Sequence, residues 1–210
     1  MTAFQMFRHV VFALGLLMAA PLLATPAAAA TNPAEQFVAD NIHKGLDILN
    51  NKSLSPEQRR GQFEGFLLGL TDMKRIAVFT LGNYRRGASP ADLDAFNSAF
   101  QNYAVAVYQS YFAKYAGQTL KVTNSTERAP GDTIVATALI DPNDHSGQQP
   151  LEVDFRVRTD AGKPVVVDFS VAGIWLALEE RDQFTAFLGQ NGGNVRTLIT
   201  HLNELARQYK

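Results

Sequence analysis

The spacing of apolar residues changes its period twice along the chain. Up to about residue 116 apolar residues recur at helical spacing, between 120 and 171 a period of two prevails, and helical spacing returns after 174. This order predicts helices, then strands, then helices. Short polar loops separate the strands, which favours an antiparallel meander over parallel strands joined by crossovers.

The longest predicted helix begins at Ser89-Pro90 and runs to about Ala116. Its apolar residues follow steps of three or four, which places them on one side of a helix. They are Leu93, Phe96, Phe100, Tyr103, Val107 and Tyr111. We expect this stripe to cover one side of the sheet that follows.

Three shorter helices are predicted before the long one. The first covers residues 33–50. The second begins after Ser55, because a serine followed by proline, with Gln58 three positions on, is typical of a capped helix start. The third spans 72–81.

The predicted strands are 120–128, 133–141, 151–159 and 163–171. The third strand alternates strictly, with Val153 and Phe155 on one side and Asp154 and Arg156 on the other. Such a strand has one dry side and one wet side. Two helices, 174–190 and 194–209, close the chain. The predicted fold is α+β: a four-stranded, mainly antiparallel sheet covered by helices from the N-terminal half and the C-terminus, with an apolar pocket between.

Residues 1–30 have the pattern of a secretory signal peptide. Arg8 is the only strong charge, an apolar run covers 10–23, and small residues follow up to Ala30. The run is shorter than the roughly 20 residues that span a bilayer as a helix. We therefore expect cleavage before Thr31, with an uncleaved anchor as the alternative, and one soluble exported domain over 31–210.

Composition narrows the possible partners. The chain has no cysteine, so an exported domain must be stabilised by its core rather than by disulfides, and no acyl anchor can follow the signal. The formal net charge is −1, without a basic run. This argues against a nucleic-acid partner.

Candidate catalytic groups are few. His43, His145 and His201 are far apart in sequence and lack metal-ligand spacing, so we expect no metal site and no cofactor. Asp168 lies among apolar residues of the fourth strand. Burial could raise its pKa and make it the general base of a cone-shaped α+β isomerase. Alternatively, it is structural and accepts hydrogen bonds from a neighbouring loop.

Aromatic residues are concentrated in the long helix, over residues 96–115. Core packing explains the inward stripe. Tyr108, Phe112 and Tyr115 lie at the side of that stripe. Together with Phe66, Phe79 and Trp175 they supply more apolar surface than one side of a sheet needs. A pocket between sheet and helices would use the remainder.

Several motifs follow one another along the chain. They are Asp72-Met73-Lys74-Arg75-Ile76-Ala77-Val78-Phe79-Thr80-Leu81-Gly82-Asn83-Tyr84-Arg85, the pair Phe96 and Phe100, Tyr115-Ala116-Gly117-Gln118, Pro150-Leu151-Glu152-Val153-Asp154-Phe155, Val167-Asp168-Phe169-Ser170-Val171-Ala172-Gly173-Ile174 and Arg181-Asp182-Gln183-Phe184. In this order they resemble the motifs of the MlaC family, the periplasmic lipid carriers of the phospholipid transport system also called the toluene-tolerance system. The resemblance extends over nearly all of 31–210. The tryptophan usual in the family's last strand is absent, with Val165 or Val166 in its place, and Trp175 stands where serine is common.

The resemblance implies a monomeric periplasmic shuttle, not an enzyme. It would carry a phospholipid or similar two-chain lipid between an inner-membrane ABC transporter complex and an outer-membrane lipoprotein complex, and so maintain outer-membrane lipid asymmetry. The hopanoid-associated branch of the family is an alternative. An isomerase that uses Asp168 and a protein-binding adaptor remain as other classes.

The residues that we expect to line the lipid pocket are apolar or aromatic and come from helices and strands alike. They are Phe66, Leu70, Met73, Ile76, Phe79, Phe96, Phe100, Tyr103, Val107, Tyr108, Val153, Phe155, Phe169, Val171 and Trp175.

The signal peptide generates the first testable prediction. Protein recovered from a periplasmic extract should begin at or near Thr31, because the small residues before it suit signal peptidase. N-terminal sequencing checks this, and an intact Met1 would contradict it.

Overall fold

The computed structural model describes residues 32–112, 115–159 and 162–209. The predicted signal peptide and its cleavage site lie outside these residues. The helices are α1 (Pro33–Asn50), α2 (Pro56–Leu70), α3 (Met73–Thr80), α4 (Pro90–Phe112), α5 (Leu176–Gln190) and α6 (Val195–Gln208), with a 3-10 helix at Gly82–Arg86. The strands are β1 (Thr119–Ala129), β2 (Asp132–Ile140), β3 (Leu151–Arg158), β4 (Val165–Val171) and β5 (Ile174–Trp175).

The strands form one antiparallel sheet in the order β1-β2-β3-β4-β5. The α+β class and the meander are confirmed, but the prediction of four strands was wrong. Ala172 and Gly173 have φ angles of 51° and 80°, so a tight turn returns the chain to pair Val171 with Ile174. Ile174 and Trp175, predicted to begin the next helix, form β5 instead.

Local side-chain bonds explain where the helices begin. The hydroxyl of Ser55 accepts the backbone N–H of Gln58, whose side chain accepts the N–H of Ser55, so the predicted capping box is present. Asp72 accepts the N–H of Arg75 at the start of α3. Helix α4 ends earlier than predicted, because residues 115–118 are not helical.

The strand registers divide the sheet into an apolar side and a polar side. Val135, Phe155 and Phe169 lie next to one another on the apolar side. Helix α1 packs on this side through Ala34 and Val38. We call the buried residues there the sheet core: Ala34, Val38, Val135 and Val157.

A second core forms among the helices. This helical core comprises Ala77, Leu81, Phe96, Ala99, Phe100, Ala104, Phe184, Leu188, Val195, Leu198 and Leu202. The ring of Phe184 on α5 meets Phe96 and Phe100 edge-on, with centroids 6.4 and 6.2 Å apart. The expectation that the α4 stripe covers the sheet was therefore wrong for Phe96 and Phe100. Helix α6 packs on α4, and its apolar stripe at Leu198 and Leu202 is buried in this core.

The polar side of the sheet is less open to water than predicted. Asp132, at the start of β2, is buried and accepts two bonds from Arg156, at 2.9 and 2.6 Å, and one from Arg158 at 3.2 Å. The hydrogen bonds from Arg156 hold the pKa of Asp132 below its usual range. A two-pronged guanidinium–carboxylate contact of this kind fixes geometry as well as contributing energy. It ties β2 to β3 on the side opposite α1.

This cluster predicts a pH-dependent contribution to stability. Asp132→Asn should lower the free energy of unfolding at neutral pH by about 1 to 3 kcal/mol, because an ion pair with a buried carboxylate and two part-exposed guanidinium groups loses its negative partner. Since the folded pKa is depressed, this contribution is present above about pH 4 and is lost as the pH falls through the folded value. Denaturant titrations of both proteins from neutral to acid pH measure it.

A matched control is Asp94→Asn on the exposed surface of α4, which should change stability by no more than about 0.5 kcal/mol. Equal effects of the two substitutions would show that the ion pair contributes nothing particular.

Candidate functional site

Three aromatic side chains connect the helical layer to the apolar side of the sheet. The ring of Phe169 on β4 lies 5.5 Å from that of Tyr108 on α4 and 6.4 Å from that of Phe155 on β3, centroid to centroid. Tyr108 also packs against the helical core, and Phe155 against the sheet core. We call Tyr108, Phe155 and Phe169 the aromatic bridge. All three side chains are only half-buried.

Toward the end of the sheet where β3 begins, the apolar side becomes more exposed. Val153 and Val171 are paired and half-buried. Beyond them Leu151 is 42% exposed and Ile174, paired with Val171, is 56% exposed. Isolated exposed apolar residues are common, but these follow one another on the same side of adjacent strands. The result is an apolar strip along β3, β4 and β5 that begins at the aromatic bridge and opens to solvent, bordered on β2 by the buried Thr137.

Helix α2 packs loosely between α1 and the start of β4. Phe63 is its only buried residue, and Phe66 and Leu70 are half-buried. Phe66 contacts α1 at Gly45, where an added Cβ would lie 3.2 Å from the ring. After Leu70 the chain runs alongside β4, since Thr71 forms a bridge to Val166. Helix α2 therefore extends from α1 to the β4 edge of the sheet.

Some predicted pocket residues lie in or against the helical core. Phe96 and Phe100 are buried within it, and Met73 and Ile76 pack partly buried against it. Tyr103 does the same, and its hydroxyl donates to Glu180 at 3.0 Å. Burial raises the pKa of both groups of that pair.

Other predicted residues are elsewhere. Phe79 is 38% exposed, with the Arg181 guanidinium 5.2 Å from its ring centre. Trp175 pairs with Ser170 on the polar side of the sheet. Val107 is half-buried on α4, next to Tyr108, whereas the side chain of Tyr111 lies outside the described part.

Asp168 is on the polar side of the sheet, opposite Arg156. Its Oδ1 accepts the backbone N–H of Ala177, in the first turn of α5, at 2.9 Å, and that of Phe169 at 2.8 Å. Burial raises the pKa of Asp168, although these bonds and Arg156 oppose the shift. Helix α5 receives no capping bond from Trp175, the residue before it. Asp168 therefore supplies a cap from a neighbouring strand.

Within 32–112, 115–159 and 162–209, no group of side chains is suited to hold a metal ion. His43 and His145 are exposed, and His201 stacks on Phe187 at 4.6 Å. No helix in the same residues is long and apolar enough to cross a membrane.

Two features of the site were missed in the sequence. Gly45 is the only glycine in α1, and an isolated glycine in a helix often marks close packing. Glu180 lies four residues before Phe184 in α5, a spacing that places it on the side facing the core. The lone glycine and the four-residue spacing could both have been recognised in the sequence.

These elements define the class of the protein: an α+β domain in which a helical layer and an antiparallel meander meet at a half-buried aromatic surface. The family model described as MlaC protein matches residues 39–204. The chain belongs to the MlaC family.

A solved structure shares this fold. It is a phospholipid-binding protein from Ralstonia solanacearum in complex with a phospholipid, with a TM-score of 0.72 and 20% sequence identity. The match covers 84% of this chain and 98% of that one. At this identity the likeness establishes the fold alone.

The Asp168 contacts predict how its variants will behave. Asp168→Ala should cost about 1 to 3 kcal/mol of stability, because it leaves the Ala177 N–H without its acceptor. Asp168→Asn should cost less, since its side-chain oxygen can accept the same bonds. Because the folded pKa is raised, wild-type stability relative to the Asn variant should increase as the pH falls toward about 4. Chemical denaturation of the three proteins measures this, and an Asn variant as unstable as the Ala variant would contradict it.

Proposed function

We propose that this protein is a periplasmic carrier for a phospholipid or a related two-chain membrane lipid. In this proposal it moves lipid between an inner-membrane ABC transporter complex and an outer-membrane lipoprotein complex. Membership of the MlaC family supports the proposal, as does a fold shared with a protein that was solved with a phospholipid.

The observation that carries the proposal is the incomplete cover over the apolar side of the sheet. Phe155, Phe169 and Tyr108 are half-buried although two well-packed cores lie next to them. Taking an exposed side chain of this kind to full burial contributes about 1.5 to 3 kcal/mol, so covering the part of each that is still exposed would add a fraction of that. An acyl chain laid along this surface would supply the missing cover.

The energetics of lipid transfer require an apolar surface of this kind. Two acyl chains of about fifteen carbons represent on the order of 20 kcal/mol of hydrophobic free energy, at about 0.8 kcal/mol per methylene. A carrier must hide most of that surface to compete with a bilayer. The polar headgroup can stay in water.

Transport of this kind needs no chemical step from the carrier. Transfer between sites of nearly equal affinity is reversible, so the direction must come from the partner complexes. The sequence contains no nucleotide-binding motif, and ATP would be used by the inner-membrane complex.

The isomerase alternative has less support. Asp168 is on the opposite side of the sheet from the aromatic bridge, and its Oδ1 already accepts two backbone N–H groups. A hopanoid-type lipid would use the same apolar surface. Native mass spectrometry and lipid extraction of the purified protein distinguish these ligands, and a folded protein that never carries lipid would favour the enzyme or a protein-binding adaptor.

Two matched substitutions test where the lipid binds. Phe155→Asp should abolish lipid retention and leave a cooperatively folded protein, because a half-buried surface can hydrate once its ligand is gone. Phe100→Asp should unfold the domain, because it places a charge in a close-packed core at a cost of several kcal/mol. Circular dichroism melts and extraction of bound lipid measure the two effects.

If Phe155→Asp also unfolds the domain, the aromatic bridge belongs to the core rather than to a binding site. If it stays folded and retains stoichiometric lipid, the site lies elsewhere.

A further inference from the structure

We propose that the aromatic bridge is the closed end of the lipid site and limits how long an acyl chain the protein accepts. This inference rests on the proposed lipid-carrier function and adds a specificity to it. Tyr108 and Phe169 are then the specificity-determining residues.

At the bridge a ring of α4 is in direct contact with a ring of the sheet. A centroid separation of 5.5 Å between Tyr108 and Phe169 is ring-to-ring contact, so an acyl chain cannot pass between them. Each end of the bridge is anchored in a packed core, through Tyr108 on the helical side and Phe155 on the sheet side.

Burial along the strands shows which end of the surface is closed. On one side of the bridge, Val157 and Val166 are 1% and 3% exposed. On the other side exposure increases through Val153 to Leu151 at the start of β3. A chain that enters from the exposed end can advance along β3 only as far as Phe155.

The length of this path is limited by strand geometry. Leu151 and Phe155 are four residues apart on β3, which corresponds to about 13 Å at roughly 3.3 Å per residue. Methylene groups beyond the available length must stay nearer the opening, in contact with water. Each methylene group that is moved out of water or into it changes the relative binding affinity by about fourfold.

Substitutions that deepen or shorten the site test the proposal in both directions. Tyr108→Ala removes one side of the bridge and should favour longer chains. Val153→Phe places a large ring between the bridge and the opening and should favour shorter chains. Phe169→Leu is a milder way to deepen the site should Tyr108→Ala fail to fold.

In the experiment, the full chain is exported, purified and incubated with vesicles. The vesicles contain equal amounts of dilauroyl, dimyristoyl, dipalmitoyl and distearoyl phosphatidylethanolamine. Protein is separated from vesicles, its lipid is extracted, and mass spectrometry gives the distearoyl-to-dilauroyl ratio. Relative to wild type, we expect this ratio to rise at least about fourfold in Tyr108→Ala or Phe169→Leu and to fall by a similar factor in Val153→Phe. Circular dichroism confirms that each variant is folded.

Leu151→Ala is the matched control at the open end, where it should weaken binding of all four lipids alike and leave the ratio at its wild-type value. Folded Tyr108, Phe169 and Val153 variants with unchanged ratios would overturn the chain-length proposal while leaving the carrier function intact. A wild-type protein that takes up none of the lipids would overturn both.

Discussion

Helix α4 has one wide apolar stripe, and what that stripe packs against determines the rest of the structure. Phe96 and Phe100 turn to α5 and α6 and build the helical core with Phe184 and Leu198. Among the described residues, the side of α4 meets the sheet at Tyr108, whose ring contacts Phe169. A stripe shared equally between sheet and α6 would have produced one continuous core and no half-buried surface.

Hydrogen bonds on the polar side stabilise the sheet, so its apolar side can remain incompletely covered. Asp132 holds two arginines of β3, and Asp168 caps α5 from β4. These bonds connect strand to strand and strand to helix without using the apolar side. Since satisfied buried polar groups favour one arrangement over its alternatives, the sheet can keep its shape while part of its apolar side stays half-buried.

Much of the fold could be predicted because local rules decide it. Ser55 and Gln58 mark a helix start through bonds within four residues, and the alternation around Phe155 places it on the apolar side of β3. The surface against which a helical stripe packs is decided by tertiary contacts, which the local sequence does not reveal. Here α6 competed with the sheet for the stripe that carries Phe100. The turn at Ala172 was missed for a related reason, since alanine rarely adopts positive φ and only pairing with β4 makes that conformation favourable.

Stability and the proposed lipid binding make opposite demands on Phe155 and Phe169. Closing the gap over them with another side chain would stabilise the free domain, yet it would remove the surface that a lipid could cover. The domain meets its need for stability in two separate cores, with Val135 and Leu202 fully buried in them. Marginal packing is thereby confined to the place where those cores meet, and a ligand bound there would bridge them. Under this arrangement a ligand bound there would stabilise the fold by mass action, and its occupancy would be coupled to how firmly α4 is held against the sheet through Tyr108 and Phe169.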